Sequence, residues 1–229
     1  MNQHSAPGEL LIARHGEAHC NRDGVVGGPA GCRGLTEHGR YQIELLAQRL
    51  GCRQFDHPVH ALYTTPLRRT RESAAIIGMH LNLTPEVIPQ LAEQDHGSAD
   101  GRPWQDVVRE YGDIPALAPD RPLTPDGETW RQYLHRSSHA LRQILAQHDG
   151  DRVLILGHGE TVDTAFHTFF DLPANTRSTA AIATFHASLT IWKQQPLSWT
   201  TPDAGLRWTL PSQNDIHHLA SIDDVVHQP

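Results

Sequence analysis

The chain has 229 residues and a mass of 25.5 kDa, which suits one large α/β domain or two small ones. Its formal net charge of -7 argues against a general nucleic-acid-binding protein, which needs a basic face. No apolar run approaches the ~18 residues of a membrane span, and the polar first residues lack the pattern of a secretory signal. The three cysteines form no CxxC motif and are interpreted as reduced thiols, which predicts a cytoplasmic location.

Predicted strands and helices alternate along the first half of the chain. Hydrophobic spacing and turn residues predict them, in order, at Leu10–Ala13 (strand), Thr36–Leu50 (helix), His60–Tyr63 (strand), Thr65–Gly78 (helix) and Val87–Ile88 (strand). Thr36 is predicted to be the N-cap of the first helix, because its hydroxyl can accept a hydrogen bond from the first turn. Thr65 and Pro66 are predicted to open the second helix, with a capping hydroxyl and a proline at the first helical position.

The second half begins with residues 94–127, which are rich in glycine and proline and are predicted to form a loop excursion over the strand ends. One short helix is predicted inside this excursion, at Trp104–Tyr111. The later elements are predicted at Glu128–His148 (helix), Arg152–Leu156 (strand), Thr161–Phe170 (helix), Ala181–Phe185 (strand), Leu189–Trp192 (strand) and Arg207–Leu210 (edge strand). This order predicts an α/β protein, a three-layer α/β/α sandwich around a mostly parallel central sheet.

One α/β domain is predicted over residues 1–195, with the excursion 94–127 lying over its active site. Residues 196–229 are polar and contain proline, and they are predicted to be a C-terminal extension that packs on the domain or is partly mobile. The last ten residues are predicted to be mobile, as chain termini often are.

Two predicted strands end in a histidine. The first apolar run, Leu10–Ala13, is followed by Arg14-His15-Gly16-Glu17, and the run Val153–Leu156 is followed by Gly157-His158-Gly159. In an open α/β sheet, ligands bind at the carboxyl ends of the strands, so both histidines are expected at one site. Two histidines with an arginine beside one of them suit chemistry on a phosphate group.

The two histidine motifs belong to a series of five segments. They are Arg14-His15-Gly16-Glu17 with Asn21, Gly34–Gln42, Thr64–Ala74, Leu91-Ala92-Glu93 with Gly97, and Gly157-His158-Gly159. In these segments the chain resembles the histidine phosphatase superfamily, which includes phosphoglycerate mutases and many acid and sugar phosphatases. The resemblance runs in the family's order from residue 10 to about residue 193. It implies a phosphoglycerate mutase-like fold for the predicted sheet and helices.

The resemblance implies that His15 is the catalytic nucleophile. A neutral imidazole is a competent nucleophile at about pH 7 if one ring nitrogen keeps its proton on a backbone carbonyl and the other faces phosphorus. Arg14 and Arg69 are implied as catalytic and substrate-binding residues, whose planar guanidinium groups clamp the phosphoryl oxygens. Arg69 is selected by its place in the family motif, and its neighbours Arg68 and Arg71 are expected at the surface.

The resemblance also assigns the remaining site residues. His158 is implied to stabilise the equatorial oxygens of the transition state, with the N-terminus of the following helix directed at the same place. Asn21 and Gly159 are implied to bind the substrate's phosphate beside it. Glu93 is implied as the general acid that protonates the leaving alkoxide, a role that needs a raised pKa. Asp95, two residues on, is the alternative acid.

No metal and no cofactor are implied. The arginines and histidines supply the positive charge that a metal would bring, and the sequence has no carboxylate cluster of the kind that holds divalent ions. His135 and His139 have a spacing that could hold a metal, but the sequence offers no third ligand nearby.

Substrate specificity is predicted to reside in the glycine-rich loop Arg22–Arg33 and in the excursion Gln94–Gly127. Arg22 and Arg33 are candidates to meet a second anionic group of the substrate. Apolar or stacking walls are predicted from His96, Trp104 and Trp130, with core packing as the alternative for the two tryptophans. The resemblance implies that mutases carry a longer segment here, with basic residues for a carboxylate and a second phosphate. The excursion of this chain contains Arg102, Arg109 and Arg121 but no lysine, and this departure favours a phosphatase over a mutase.

The sequence therefore predicts an enzyme, a phosphoric monoester hydrolase of the histidine phosphatase type. Its predicted reaction is the metal-independent hydrolysis of a small phosphomonoester through a phosphohistidine intermediate. Two alternatives remain: phosphoglycerate mutase-type phosphoryl transfer, and non-catalytic binding of a phosphorylated ligand on the same scaffold. The expected ligands are a small phosphate ester, phosphate or sulfate. Neither nucleic acid nor a membrane is expected as a partner, and a homodimer is left open.

Overall fold

A six-stranded mixed sheet organises the protein. The computed structural model describes residues 7–54, 57–112, 117–174, 181–201 and 204–220. Its strands are β1 (Glu9–Arg14), β2 (Ala61–Thr64), β3 (Glu86–Val87), β4 (Arg152–Gly157), β5 (Leu189–Pro196) and β6 (Leu206–Asp215). They lie in the order β3-β2-β4-β1-β5-β6, with β1 to β4 parallel and β5 antiparallel to both β1 and β6. The predicted α/β fold with a mostly parallel central sheet is therefore confirmed.

Six α-helices accompany these strands within the described ranges. They are α1 (His19–Arg22), α2 (Glu37–Gly51), α3 (Arg68–Leu81), α4 (Trp104–Tyr111), α5 (Trp130–Gln147) and α6 (Gly159–Phe169). As predicted, Thr36 caps α2, and its hydroxyl accepts a hydrogen bond of 2.9 Å from the Gly39 amide. The bounds of α4 are the predicted ones. Helix α1 has no counterpart among the predicted elements, because four residues are too few to show a hydrophobic period.

Helices cover both faces of the sheet. Along β1, Leu11 and Ala13 belong to one core and Leu10 and Ile12 to the other, since successive side chains of a strand point to opposite faces. The first core includes residues of α2 and α3, and the second includes residues of α5 and α6: Ile43, Leu46, Ala74 and Ile77 in the first, Leu141, Ile144, Val162 and Ala165 in the second. Because both faces are covered, the strand ends are where polar side chains can gather.

The second long helix begins later than predicted. Helix α3 begins at Arg68 with Leu67 as its N-cap, and no side chain caps it. The prediction that Thr65 caps this helix is wrong, since its hydroxyl bonds to Thr70 and to His158. A capping hydroxyl and a hydroxyl that holds a distant side chain look alike in a sequence, because only the fold supplies the distant partner.

The predictions for the C-terminal part need one correction and one extension. Residues Ala181–Phe185 form no strand although their side chains alternate. Both edges of β1 are already paired, with β4 and β5, and the Thr184 carbonyl accepts a hydrogen bond from Arg14 instead. The predicted edge strand at Arg207–Leu210 is the longer strand β6, which pairs with β5 from within residues 196–229. Residues 221–229 lie outside the described ranges.

Two whole-chain expectations concern the membrane and the thiols. In the described part of the chain, no helix combines the length and the apolar character needed to cross a lipid bilayer. Cys20 and Cys32 are buried and Cys52 is exposed, and all three are free thiols. Their unpaired state is the one predicted from their number and spacing.

Candidate active site

Strands β1 and β4 bring the two motif histidines together. The strands are parallel neighbours whose last paired residues are Arg14 and Gly157, and the His15 amide donates a hydrogen bond of 3.0 Å to the Gly157 carbonyl. His15 and His158 therefore leave the sheet at the same edge. Their ring centroids lie 5.5 Å apart in an edge-to-face arrangement, and both side chains are buried.

Glycines next to the histidines allow the strand ends to approach the helices. A Cβ atom on Gly16 would lie 2.1 Å from the Gly39 carbonyl oxygen in α2, and one on Gly157 would lie 2.3 Å from Thr161 Oγ1 in α6. Any larger residue at either position would force the backbone away from its helix. The two glycines thus set where the histidines stand.

The His15 ring is neutral and has a defined tautomer. Its Nδ1 lies 2.7 Å from the Gly16 carbonyl oxygen, which can only accept, so Nδ1 carries the proton. Its Nε2 accepts a hydrogen bond of 3.0 Å from Arg69 Nε. Burial, followed by the positive charges of Arg69 and Arg14, lowers the pKa of His15 well below its usual range. The Nε2 lone pair therefore faces the Arg69 guanidinium in the site.

Arg69 lies at the centre of the site, whereas its neighbours do not. Its side chain is 2% exposed and donates to the Gly27 carbonyl (2.5 Å), to the Glu93 carboxylate and to His15. Burial is the largest single effect on the pKa of Arg69 and lowers it, but Glu93 together with Cys20 and Cys32 outweighs burial and raises that pKa above the usual value. Arg71 is exposed, and Arg68 is 65% exposed and pairs with Glu72 at 2.7 Å.

His158 is held by a threonine that the sequence did not assign to the site. Its Nε2 lies 2.9 Å from Thr65 Oγ1, and its Nδ1 faces Arg69 Nη2 at 3.4 Å and Glu93 Oε1 at 3.6 Å. Burial is the main cause that lowers the pKa of His158, to about 3. The ring is therefore neutral in this arrangement, with one nitrogen turned toward the guanidinium and the carboxylate.

Glu93 lies in the site and Asp95 lies outside it. Burial is the largest single effect on the pKa of Glu93 and raises it, but the contact with Arg69, together with His158 and His96, outweighs burial and holds the pKa at about 2. The expectation of a raised pKa is therefore wrong for this arrangement, because the guanidinium touches the carboxylate directly. Asp95 is exposed, and its Oδ1 accepts a hydrogen bond of 2.8 Å from the Gly97 amide.

An active-site cavity adjoins the histidines, formed by two adjacent hollows of about 300 Å³ and about 340 Å³. The two hollows share five lining residues, Asn21, Glu93, Trp104, Glu160 and Asp163. The first hollow also contains Arg69, and the second also contains Arg14 and Gly159. The seven residues that the family motifs single out thus come together: Arg14, His15, Asn21, Arg69, Glu93, His158 and Gly159.

Both predicted specificity loops reach this cavity. The Asp100 carboxylate joins them, since it accepts hydrogen bonds of 2.7 Å and 2.9 Å from the amides of Ala30 and Gly31. The cavity lining includes Val25 and Gly27 from the first loop, and Gln94, His96 and Trp104 from the second. Trp130 lines the first hollow as well, although it is almost fully buried.

The prediction that Arg22 and Arg33 meet a second anionic group is not met. Both side chains are more than half exposed, both pair with Asp23, and neither lines the described cavity. Asp23 lies between them along the chain and competes for both guanidinium groups. The positive charge at the site is therefore carried by Arg14 and Arg69.

Besides Thr65, three functional candidates escaped the sequence reasoning: Glu160, Asp163 and His186. Burial is the main cause that raises the pKa of Glu160 to about 8 and that of Asp163 to about 6. The His186 ring lies 5.8 Å from His15, and burial is the main cause that lowers its pKa to about 3. The i, i+3 spacing of Glu160 and Asp163 after Gly159 was a usable signal, because it places both on one side of α6 near the histidine.

A metal centre is not formed in the described part of the chain. No group of three or more histidine, cysteine, aspartate or glutamate side chains there is arranged to hold a metal ion. His135 and His139 on α5 belong to no such group, although their spacing alone would allow them to be two ligands.

The geometry and the sequence agree on one family. Residues 10–202 match the histidine phosphatase superfamily (branch 1), and the chain belongs to that superfamily. A metal-independent phosphoserine phosphatase of Arabidopsis thaliana is 28% identical over 220 residues, which cover 93% of this chain and 84% of that protein. A probable phosphoglycerate mutase of Yersinia pestis (strain Pestoides F) is 25% identical over 214 residues, covering 92% and 94% of the two chains.

Among solved structures, Bacillus stearothermophilus YhfR has the same fold. It aligns with a TM-score of 0.77 at 24% identity, over 93% of this chain and 99% of that one. The predicted phosphoglycerate mutase-like fold and the predicted enzyme class, a histidine phosphatase, are both confirmed. The predicted alternative, a mutase, is represented among the relatives.

Proposed function

We propose that this protein is a metal-independent phosphatase that hydrolyses a small phosphomonoester through a phosphohistidine on His15. The state of the His15 ring supports this most strongly. The ring is buried and neutral, its Nδ1 is bound to the Gly16 carbonyl, and its Nε2 faces Arg69. A phosphoryl group that binds Arg69 takes over this hydrogen bond, and the freed Nε2 lone pair can then attack the phosphorus atom beside that arginine.

In the first step, Arg14 and Arg69 hold the phosphoryl oxygens, and His15 Nε2 attacks phosphorus. The N–P bond forms, the P–O bond to the alcohol breaks, and Glu93 gives its proton to the leaving oxygen. His158 Nδ1 faces the same place, and the negative charge of the phosphoryl group favours its protonated, donating form. The N-terminus of α6 adds its positive end to this stabilisation.

In the second step, a water molecule attacks the phosphorus of the phosphohistidine. The N–P bond breaks and its electron pair returns to His15 Nε2, while the Glu93 carboxylate takes a proton from the water. The departing phosphate takes this proton from Glu93. The products are therefore the alcohol and the phosphate monoanion, and His15 is again neutral and Glu93 again ionised.

The proton on Glu93 comes with the substrate. With a pKa of about 2, Glu93 is ionised beside Arg69. A phosphoryl group that binds Arg69 competes with this carboxylate, and its negative charge raises the pKa of Glu93. The ester's second pKa is about 6, so its monoanion can carry the proton that Glu93 then transfers to the leaving oxygen.

Arg136 on α5 positions the segment that carries Glu93. Its guanidinium donates to the carbonyls of Gln90 (2.8 Å), Ala92 (2.9 Å) and Glu93 (3.1 Å). The Glu128 carboxylate receives two further hydrogen bonds, of 2.6 Å and 2.7 Å, and holds the arginine in place. Three carbonyls that converge on one side chain fix the backbone of the acid and thereby the direction of its carboxyl group.

Replacing Arg136 by methionine is expected to cost about 1–3 kcal/mol of stability, because partly buried carbonyls lose their donor. We also expect kcat for alkyl phosphates to fall by about tenfold or more, with a smaller loss for aryl phosphates, whose leaving group needs no acid. Thermal unfolding and the two rates check this. Arg142→Met, at an exposed position of the same helix, is the control. Equal losses of rate on both esters would contradict a positioning role.

Phosphoglycerate mutase activity is the alternative, since one relative is named as a probable mutase. Its substrate brings a carboxylate in addition to the phosphate, and this second anion needs cations of its own. Among the residues that line the described cavity, Arg14 and Arg69 are the only arginine or lysine side chains. This charge distribution favours a monoester without a second anionic group.

Release of inorganic phosphate from a panel of esters tests the proposed function. The panel contains an aryl phosphate, phosphoserine, 3-phosphoglycerate and aminoalkyl phosphates. We expect phosphate release at a rate that a chelator leaves unchanged, because Arg14, Arg69 and the histidines supply the positive charge at phosphorus. Phosphoryl transfer without release would identify a mutase, and binding without turnover a ligand-binding protein. A large loss with chelator, restored by magnesium or zinc, would contradict metal independence.

Three further expectations accompany the proposed function. Phosphate or sulfate is expected to bind between Arg14, Arg69 and the two histidines, because these groups form an anion-attracting pocket. The cytoplasmic location and the division into residues 1–195 and 196–229 stay predictions from the sequence, and a homodimer stays open.

A further inference from the structure

The lining of the active-site cavity includes two acidic side chains from the first turns of α6. Glu160 and Asp163 stand about one turn apart on α6, and both line both hollows. In the described part of the chain, no ion pair joins either carboxylate to a cationic side chain. The two acids therefore face the space that the alcohol part of a substrate would occupy.

The cavity lining contains two arginines, Arg14 and Arg69, which are the pair that the proposed function assigns to the phosphoryl group, and Arg14 also lies close enough to Glu160 to lower its pKa. Arg69 contacts His15, and Arg14 follows the same strand. Arg22 and Arg33, the other arginines of the nearby loop, pair with Asp23 outside the described lining. A substrate held by Arg14 and Arg69 thus meets the carboxyl groups of Glu160 and Asp163, and no further arginine or lysine, among the residues that line the described cavity.

Two tryptophans complete the walls. Trp104 lines both hollows and packs edge-to-face on His96, with ring centroids 5.2 Å apart. Trp130 lines the first hollow and stacks on Tyr133, with ring centroids 5.1 Å apart. Indole rings held rigidly beside carboxylates attract organic cations, because the ring face is negative.

We propose that the substrate is an aminoalkyl phosphate, which is a small phosphomonoester whose alcohol carries an ammonium group. Glu160 and Asp163 bind this ammonium group between Trp104 and Trp130. The inference rests on the proposed function, because it needs the phosphoryl group at His15, and it names the substrate class for that same site. Hollows of about 300 Å³ and about 340 Å³ have room for a short alcohol of the size of ethanolamine or choline.

Electrostatics separates an ammonium group from the other candidates. Burial raises the pKa of both Glu160 and Asp163, so each carboxyl gains from a cation that offsets its loss of solvent. A carboxylate or a second phosphate would add like charge beside them. A hydroxyl would fit the same space but would bring no compensating charge.

A matched pair of substrates tests the proposal. O-Phosphoethanolamine and 2-hydroxyethyl phosphate have the same shape and differ by an ammonium group in place of a hydroxyl. We expect kcat/KM to be about tenfold or more higher for phosphoethanolamine than for 2-hydroxyethyl phosphate, because a single favourable charge contact has an effect of about this size. Phosphocholine adds three methyl groups to the same cation, and its use as a substrate would place the indole rings in contact with the cation.

Two variants that keep shape and remove charge identify the residues. Asp163→Asn and Glu160→Gln are each expected to lower the phosphoethanolamine to 2-hydroxyethyl phosphate ratio severalfold, and together to bring it close to one. Each ratio is measured within a single protein, so a general loss of activity cancels. Glu86→Gln is the control, because Glu86 is exposed on the edge strand β3. The ratio of the two substrates in this variant should equal the wild-type ratio.

A wild-type ratio near one, or an unaltered ratio in both α6 variants, would overturn the proposal. If an aryl phosphate is still hydrolysed in that case, the phosphatase function stands and only the ammonium site is refuted. If no ester is hydrolysed at all, the proposed function is refuted, and the inference with it.

Discussion

Replacing His15 by alanine is expected to lower kcat/KM for phosphomonoester hydrolysis by about 10⁴-fold or more. The substitution removes the nitrogen that forms the bond to phosphorus, while Arg14, Arg69 and His158 remain to bind the phosphoryl group. The variant should therefore still bind phosphate although it has lost turnover, and phosphate should still raise its unfolding temperature. A residual rate above the uncatalysed one is compatible with electrostatic stabilisation alone.

Two measurements check this expectation. Phosphate release gives the rate, and a rapid alkaline quench of the wild type should retain a phosphoenzyme that acid then hydrolyses. His139→Ala, at an exposed position on α5, is the control, and it should retain both the rate of phosphate release and the phosphoenzyme. A folded His15→Ala protein with full activity would end the phosphohistidine proposal.

Replacing Glu93 by glutamine is expected to reduce kcat/KM for alkyl phosphates by about 10²–10⁴-fold. Aryl phosphates should lose far less, because their leaving oxygen departs without a proton. The glutamine carbonyl can still accept the hydrogen bond from Arg69, so the arginine should keep its place. The difference between the two ester classes is the quantity to measure.

Asp95→Asn is the matched control, since Asp95 is an exposed carboxylate two residues away. The Asp95→Asn protein should keep kcat/KM for both ester classes within about twofold of the wild-type values, because the substitution lies away from the site. A large alkyl-specific loss in Asp95→Asn, together with an active Glu93→Gln protein, would move the acid to Asp95. Equal losses on both esters in Glu93→Gln would indicate a structural role.

The low pKa of Glu93 also sets the direction of the pH dependence. The free enzyme has an ionised Glu93, so the proton enters with the substrate monoanion, which disappears as the pH rises above about 6. For alkyl phosphates, kcat/KM should therefore fall by about tenfold per pH unit above that point, and in Glu93→Gln the fall should be much weaker. A flat wild-type profile up to about pH 8 would contradict this source of the proton.

The strands and the family motifs were predictable because their signals are local. A buried parallel strand is a short apolar run, and both runs that end in a histidine are strands of the sheet, β1 and β4. Thr36 caps α2 through a partner three residues away, so its role could also be predicted from neighbouring residues. The two strands pair in parallel in the sheet, as the expected meeting of the two histidines requires, and this pairing brings His15 to His158.

The sequence by itself therefore determined the fold class, the family and the residues that meet at the strand ends. Only the tertiary structure decided the pKa values of these residues and the side chains that contact them. Thr65 holds His158 from 93 positions away, and contact with Arg69 turns the expected rise in the pKa of Glu93 into a fall. It also decided the charge of the walls, because Glu160 becomes part of a substrate cavity only when other segments close around α6. Hydrogen bonds and Coulomb interactions depend on distances through space, and a sequence gives only distances along the chain.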